Sequence, residues 1–466
     1  MFRSWFRGSA AAMAMAASLL LSGPASAVSV TTSVVTISAT YKSILYTPES
    51  NPNSHVGIFV MHSFSSYSGF AGCSQLASRG FTMLCADTVF TNRGDAYKGY
   101  EDHAAAITAG IRFLRNQPGI TKVLIFGHSM GAPMMSFYAW IQENGIGACQ
   151  DPHRLIPCDP ANLVDANNVS RLLPVDGVIL FDAHLGDALA TFTYMDPAIK
   201  DPDQPGRRDT ELDMFAAKNG YPGDAAAGSP TFKSVTYSER FKDRFFKAQA
   251  DRNADVLRSA QRIYDDIKSG NPRVYRDDMP FEVPGADGAA RLWQADLSLV
   301  KCTKRRQIFL SRDGSTNLSP GPICSVRIPS ASFAGANSFE SDLHVSVRIW
   351  LGAHALRTNG RYEQTADDIT GIDFASTNTS SVLHAGGITK PVLIVANGAH
   401  YFLRPDEMIF DALKTSDKTF AIEEGAVHGG GPCAACAQAL GLPADYFGDT
   451  QKRTYDFMAA WLQARF

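Results

Sequence analysis

The chain has 466 residues, of which 45% are hydrophobic, 19% charged and 10% aromatic, a globular composition with enough apolar material for a large buried core. Forty-three Lys and Arg stand against 46 Asp and Glu, a net charge of -3, so no whole-chain field favours nucleic acid or an anionic lipid surface, and nucleic acid is excluded as a partner. Charged and apolar residues stay mixed, with no internal repeat or low-complexity linker, and one domain carrying a large insertion is the economical organisation.

Residues 1–27 read as a secretory leader. Arg3 and Arg7 supply a positive start, Ser9 to Leu21 an apolar run, and Ala25-Ser26-Ala27 a small-residue cleavage site. The run is shorter than the about 20 apolar residues of a membrane span and ends at Gly23-Pro24. A mature chain beginning at Val28, secreted or periplasmic and without stable membrane insertion, is expected. Val28 to Leu45 alternates Val, Thr and Ser and predicts one or two antiparallel starting strands.

Unbroken apolar runs then follow at Val56 to Met61, Phe81 to Ala86, Val123 to Phe126, Val178 to Phe181 and Val392 to Val395, with helical-period segments at Ala104 to Leu114 and Ala132 to Ile141. Strands apolar on both faces belong to a parallel sheet covered by helices. The alternation lapses for about 190 residues and resumes near Ser380. Residues 28–186 and 381–466 are therefore expected to form an α/β core, and 187–380 an insertion or cap, helical over Ser238 to Ile267 and more β-like over Ser325 to Leu356. Tyr455 to Phe466 predicts a closing helix.

Export to an oxidising compartment makes disulfides the natural state of the eight cysteines. Spacing suggests the local pairs Cys73 with Cys85, Cys149 with Cys158, Cys302 with Cys324, and Cys433 with Cys436. A redox or half-zinc reading of Cys433-Ala-Ala-Cys436 with His428 lacks both a second such motif and a thioredoxin-like strand before it.

The strongest chemical signal is Gly127-His128-Ser129-Met130-Gly131, which follows a predicted strand and opens a predicted helix. So tight a turn needs small residues two positions on either side of the serine, and it sets Ser129 at a helix N-terminus, where negative charge is favoured. Here the chain resembles the α/β-hydrolase superfamily. That resemblance implies a mostly parallel central sheet flanked by helices, with the insertion as a lid, and makes Ser129 the nucleophile. Met61-His62-Ser63-Phe64 is similar to the superfamily's His-Gly-X oxyanion segment, with serine in place of glycine. By that analogy the N–H groups of Phe64 and Met130 are the donors.

The superfamily places its histidine after the last strand. Thr419 to Ile422 reads as that strand, and Gly425-Ala426-Val427-His428 resembles the Gly-x-x-His loop, making His428 the base. At the commonest position of the acid the chain reads Asn397-Gly398-Ala399-His400, with no carboxylate. Asp182, ending the strand before, is the expected substitute; Asp406 is the runner-up, in Pro405-Asp406-Glu407, which reads as a helix start. The resemblance thus implies an exported serine hydrolase acting on a small or polymeric carboxylic ester. Amidase, peptidase or thioesterase chemistry, and a silent hydrolase-like binding protein, remain open alternatives. No Gly-rich phosphate loop or metal cluster is seen, so no cofactor is expected.

Overall fold

The computed structural model describes residues 28–50, 53, 55–200, 204, 207–221, 235–271, 278–287, 291–329 and 342–466. The leader read in residues 1–27 lies outside them. In chain order the strands are β1 (Val30–Val35), β2 (Thr40–Pro48), β3 (Val56–Met61), β4 (Thr82–Thr88), β5 (Lys122–Ser129), β6 (Gly177–Ala183), β7 (Pro280–Val283), β8 (Ile308–Leu310), β9 (Thr316–Leu318), β10 (Leu343–Ser346), β11 (Arg357–Gln364), β12 (Ile369–Asp373), β13 (Val392–Asn397) and β14 (Lys418–Glu423). Ten form one sheet in the order β1-β2-β4-β3-β5-β6-β13-β14-β8-β9. From β4 to β8 every neighbouring pair is parallel, while β1, β2 and β9 run antiparallel to their neighbours. This is the α/β-hydrolase fold, with the antiparallel start that Val28 to Leu45 predicts.

Strand period explains the two cores. In β3, Phe59 and Met61 face one apolar cluster and Val56, Ile58 and Val60 the other; in β5, Val123 and Ile125 oppose Leu124 and Phe126 in the same way. Helices Ala104–Arg115, Gly131–Asn144 and Leu403–Ala412 cover the first face through Ile107, Met134 and Ile409. Helices Ala71–Ala77 and Thr450–Gln463 cover the second through Leu76, Met458 and Trp461. The chain leaves β3 toward β4 on one side and continues from β5 toward β6 on the other. The crevice at the carboxyl ends of β3 and β5 is therefore the switch point where such sheets bind ligands.

The stretch 187–380 is not wholly separate from this sheet. β8 pairs parallel with β14 through three residue pairs and carries β9 at the edge, so this part of the stretch belongs to the core sheet. The helix Glu239–Ser269 covers the predicted helical segment. Ser325 to Leu356 departs from its β-like reading: among its described residues only β10 is a strand, and Val347–Ile349 and Trp350–His354 are helical. The reason is a cap, since Ser346 Oγ accepts the Ile349 N–H and starts a helical turn on which Trp350 and Leu351 bury. All four expected disulfides are present, and no cysteine is free. No helix among the described residues is long and apolar enough to cross a membrane.

Candidate active site

Ser129 ends β5 at a φ of 56°, left-handed backbone that a non-glycine residue adopts only under constraint. Two close approaches impose it. A Cβ on Gly127 would overlap the Gly131 carbonyl, and one on Gly131 would stand 2.7 Å from the Met61 carbonyl oxygen. The elbow therefore packs against the end of β3, with Met130 as N-cap of the helix Gly131–Asn144, and its N–H is not spent inside that helix.

The Ser129 hydroxyl donates to Nε2 of His428 across 2.8 Å, and His428 Nδ1–H donates to Oδ2 of Asp182 across 2.5 Å. Asp182 is the last residue but one of β6, also at a positive φ, 45°. Its carboxylate is 0% exposed, and its Oδ1 accepts the Asn397 N–H at 3.2 Å. Burial alone would raise this carboxyl, but the neighbouring His400 and His428 hold it well below the usual carboxylate range. Asp406 lies on the helix Leu403–Ala412, as its sequence context predicts, and accepts the Ala183 N–H rather than touching His428. Burial, then the Asp182 charge, pushes its carboxyl well up, so it is the neutral partner of the pair.

Four residues that sequence reasoning did not assign, His128, His400, Tyr67 and Asn397, complete the site. The His428 ring lies between two other imidazoles, with centroids 4.4 Å from His128 and 4.3 Å from His400. Burial pushes His128 down to about 3 and His400 to about 4, so both flanking rings are uncharged at neutral pH. His400 Nδ1 stands 2.8 Å from Asp182 Oδ2, and His400 itself follows β13, in the segment Asn397-Gly398-Ala399-His400 that holds no carboxylate. The Tyr67 hydroxyl donates to His128 Nδ1, and His128 Nε2–H donates to the His428 carbonyl at 2.7 Å. Asn397 Nδ2 donates to that same carbonyl at 3.1 Å. His428 is thus held from its backbone as well as its ring. Position gives a signal for His128, the variable residue of the elbow, and for His400; nothing in the sequence marks Tyr67.

The loop carrying His428 is closed by backbone bonds from the Val427 N–H to the Gly431 carbonyl and from the Cys433 N–H to the Gly425 carbonyl, and the Cys433–Cys436 disulfide packs beside it with Ala399 and Phe447. At the oxyanion segment, both the Phe64 and Ser65 N–H groups donate to Nδ1 of His62, at 3.1 and 2.9 Å. His128, Asp182 and His428 offer ligand-type atoms within 4.8 Å of one another. Both nitrogens of His128 and both of His428 are already bonded, to Tyr67, the His428 carbonyl, Asp182 and Ser129, so this set fits a hydrogen-bonded relay rather than a cation.

No protein-family model matches the chain, and no curated protein does. Among solved structures, a hypothetical protein from Pseudomonas aeruginosa is 10% identical over 94% of this chain and 94% of its own, with a TM-score of 0.39. DcsB in complex with its substrate analogue is 10% identical over 94% of this chain and 99% of its own, with a TM-score of 0.38. Proline iminopeptidase from Mycobacterium smegmatis is 12% identical over 93% and 98%, with a TM-score of 0.37. Likeness this distant adds nothing to the strand order and site geometry, on which the fold assignment rests.

Proposed function

We propose that the protein is an exported serine hydrolase cleaving a carboxylic ester through Ser129, His428 and Asp182. The observation that carries this reading is the unbroken hydrogen-bond relay from Ser129 Oγ through His428 to a buried, ionised Asp182, mounted on a strand-turn-helix elbow. Ser129 Oγ attacks the carbonyl carbon as His428 Nε2 takes its proton; His428 then protonates the departing alcohol, and water resolves the acyl-enzyme by the same exchange. Asp182 holds the productive tautomer and stabilises the imidazolium. Met130 N–H is one donor to the developing oxyanion. The Phe64 N–H becomes the second when it exchanges the His62 ring for the substrate oxygen. Four disulfides support the oxidising compartment to which the leader-like residues 1–27 would direct the chain.

The test is labelling by a fluorophosphonate, which reacts only with an activated serine, together with turnover of p-nitrophenyl esters and the matching anilides. Ser129→Ala should abolish labelling and lower kcat by roughly 10⁶-fold with the fold intact. A folded Ser129→Ala protein with near-native turnover refutes the assignment, and anilides cleaved in preference to esters would make it an amidase.

A further inference from the structure

Beside His428 opens a cleft of 440 Å³ lined by Arg291, Gln294, Arg327, His400, Tyr401 and the Cys433–Cys436 disulfide. Two of these side chains are built in at a cost that the fold itself does not offset. Gln294 is 2% exposed, and the Tyr194 phenol is the described side chain that shares a hydrogen bond with its carboxamide, which leaves most of that group's bonding capacity unfilled. A buried amide satisfied by one phenol alone is an unfavourable element unless something outside the fold completes its bonds. Arg327 is 7% exposed, and its guanidinium donates only to neutral carbonyls, those of Trp293, Leu299 and Val300, while Nε has no partner.

No carboxylate among the described residues forms an ion pair with Arg327. Asp296, the acidic group nearest in charge, spends its oxygens on Ser298 and on the Tyr237 N–H. Burial lowers the guanidinium only to about 10, so it stays charged at neutral pH. The site thus brings two guanidinium side chains, Arg327 without a carboxylate partner and Arg291 over the Tyr194 ring, and one incompletely bonded carboxamide to a single cleft that His428 also lines. That chemistry suits a carboxylate, which accepts from both the guanidinium and the amide nitrogen.

We propose that this cleft is a subsite for a carboxylate on the substrate, so that the preferred esters carry an anionic group held by Arg327 and Gln294 while Ser129 reacts at the ester carbonyl. The proposal rests on the hydrolase reading above and adds the class of substrate.

The experiment compares p-nitrophenyl butyrate with mono-p-nitrophenyl glutarate, which differ by a terminal carboxylate, in the native protein and in Gln294→Met. The native protein should prefer the anionic ester in kcat/KM. Gln294→Met should lower that preference about 10-fold, as expected for loss of a hydrogen bond to a charged group. Arg327→Met should lower it further, but it also frees three carbonyls, which is why Gln294→Met, which gives up one shared bond with Tyr194, carries the test. A second measurement needs no catalysis: calorimetric titration of the Ser129→Ala protein with sodium butyrate, and with 1-butanol as the uncharged control. Binding of butyrate but not of 1-butanol, weakened about 10-fold by Gln294→Met, is the expected result. Equal kcat/KM for the two esters, or butyrate binding indifferent to Gln294, overturns the subsite. Fluorophosphonate labelling of Ser129 separates the two failures. A labelled serine without anionic preference leaves the hydrolase standing and removes the subsite; an unlabelled serine removes the hydrolase while the butyrate titration still judges the subsite.

Discussion

Asp182 and Asp406 are two carboxylic acids packed together in one buried region, and their opposite ionisation follows from what each touches. Asp182 has His428 at 2.5 Å and His400 at 2.8 Å, whereas the described contact of Asp406 is one backbone N–H at 2.9 Å. Asp182 therefore keeps the charge and Asp406 the proton. Asp182→Asn removes the group that sets the His428 tautomer and should lower kcat by roughly 10⁴-fold with little change in melting temperature. Asp406→Asn replaces a neutral acid with a neutral amide of the same shape, whose oxygen still accepts the Ala183 N–H, and its effect should be far smaller. Both mutants assayed on one activated ester decide the matter: loss of turnover in Asp406→Asn alone would move the acid onto the later helix.

At the scale of the element, the elbow and the histidine loop are held by different devices. The elbow depends on the absence of side chains. Gly131→Ala sets a methyl 2.7 Å from the Met61 carbonyl oxygen and 3.2 Å from the His62 Cα, backbone on both counts, so β3 and the helix must part. The expected destabilisation is roughly 1–3 kcal/mol, read by urea denaturation, with kcat falling as Ser129 shifts. The histidine loop depends instead on a covalent clip. Loop-closure entropy scales with the span enclosed, so losing Cys302–Cys324, which spans 22 residues, should cost about 3 kcal/mol, and losing Cys433–Cys436, which spans 3, about half as much. Activity should rank them the other way, because only the shorter clip adjoins the loop of His428. A Cys433→Ser/Cys436→Ser protein that kept native kcat would show that the loop's own hydrogen bonds suffice.

Across the whole molecule, seven buried histidines, His62, His103, His128, His184, His354, His384 and His400, are pushed down by burial, six of them to about 3 or 4. Above their ordinary value near 6.5 both folded and unfolded chains hold them neutral; below it only the unfolded chain takes up protons, so stability is lost as pH falls from 6.5 toward 4. Glu101 and Asp187, raised to about 7, and Glu423, raised to about 8, act with the opposite sign: their stability is complete below about 4.5 and is lost as pH rises to 8. Asp406, pushed well up by burial, joins these carboxyls, and Asp182, held low, joins the seven histidines, so the melting temperature should peak near neutral pH and drop on the acid side. Thermal melts at pH 8, 7, 6, 5 and 4 test this, and a melting temperature flat down to pH 4 would contradict it.

Much of the sheet, the elbow and His428 were legible in the chain because they rest on local rules. An apolar run buried on both faces, a serine between two glycines at a strand-to-helix turn, and a histidine after the last strand each announce themselves within a few residues. Asp182 was legible only as a substitute for an acid absent from its usual place. The imidazoles around His428, the proton on Asp406, the joining of β8 to the sheet and the pairing of Gln294 with Arg327 in one cleft were decided by tertiary structure. Each depends on groups brought together from distant parts of the chain, as His400 and His428 are brought to Asp182. The charge state of a buried group and the neighbours of a side chain are properties of the space around it, and that space exists only once the chain has closed.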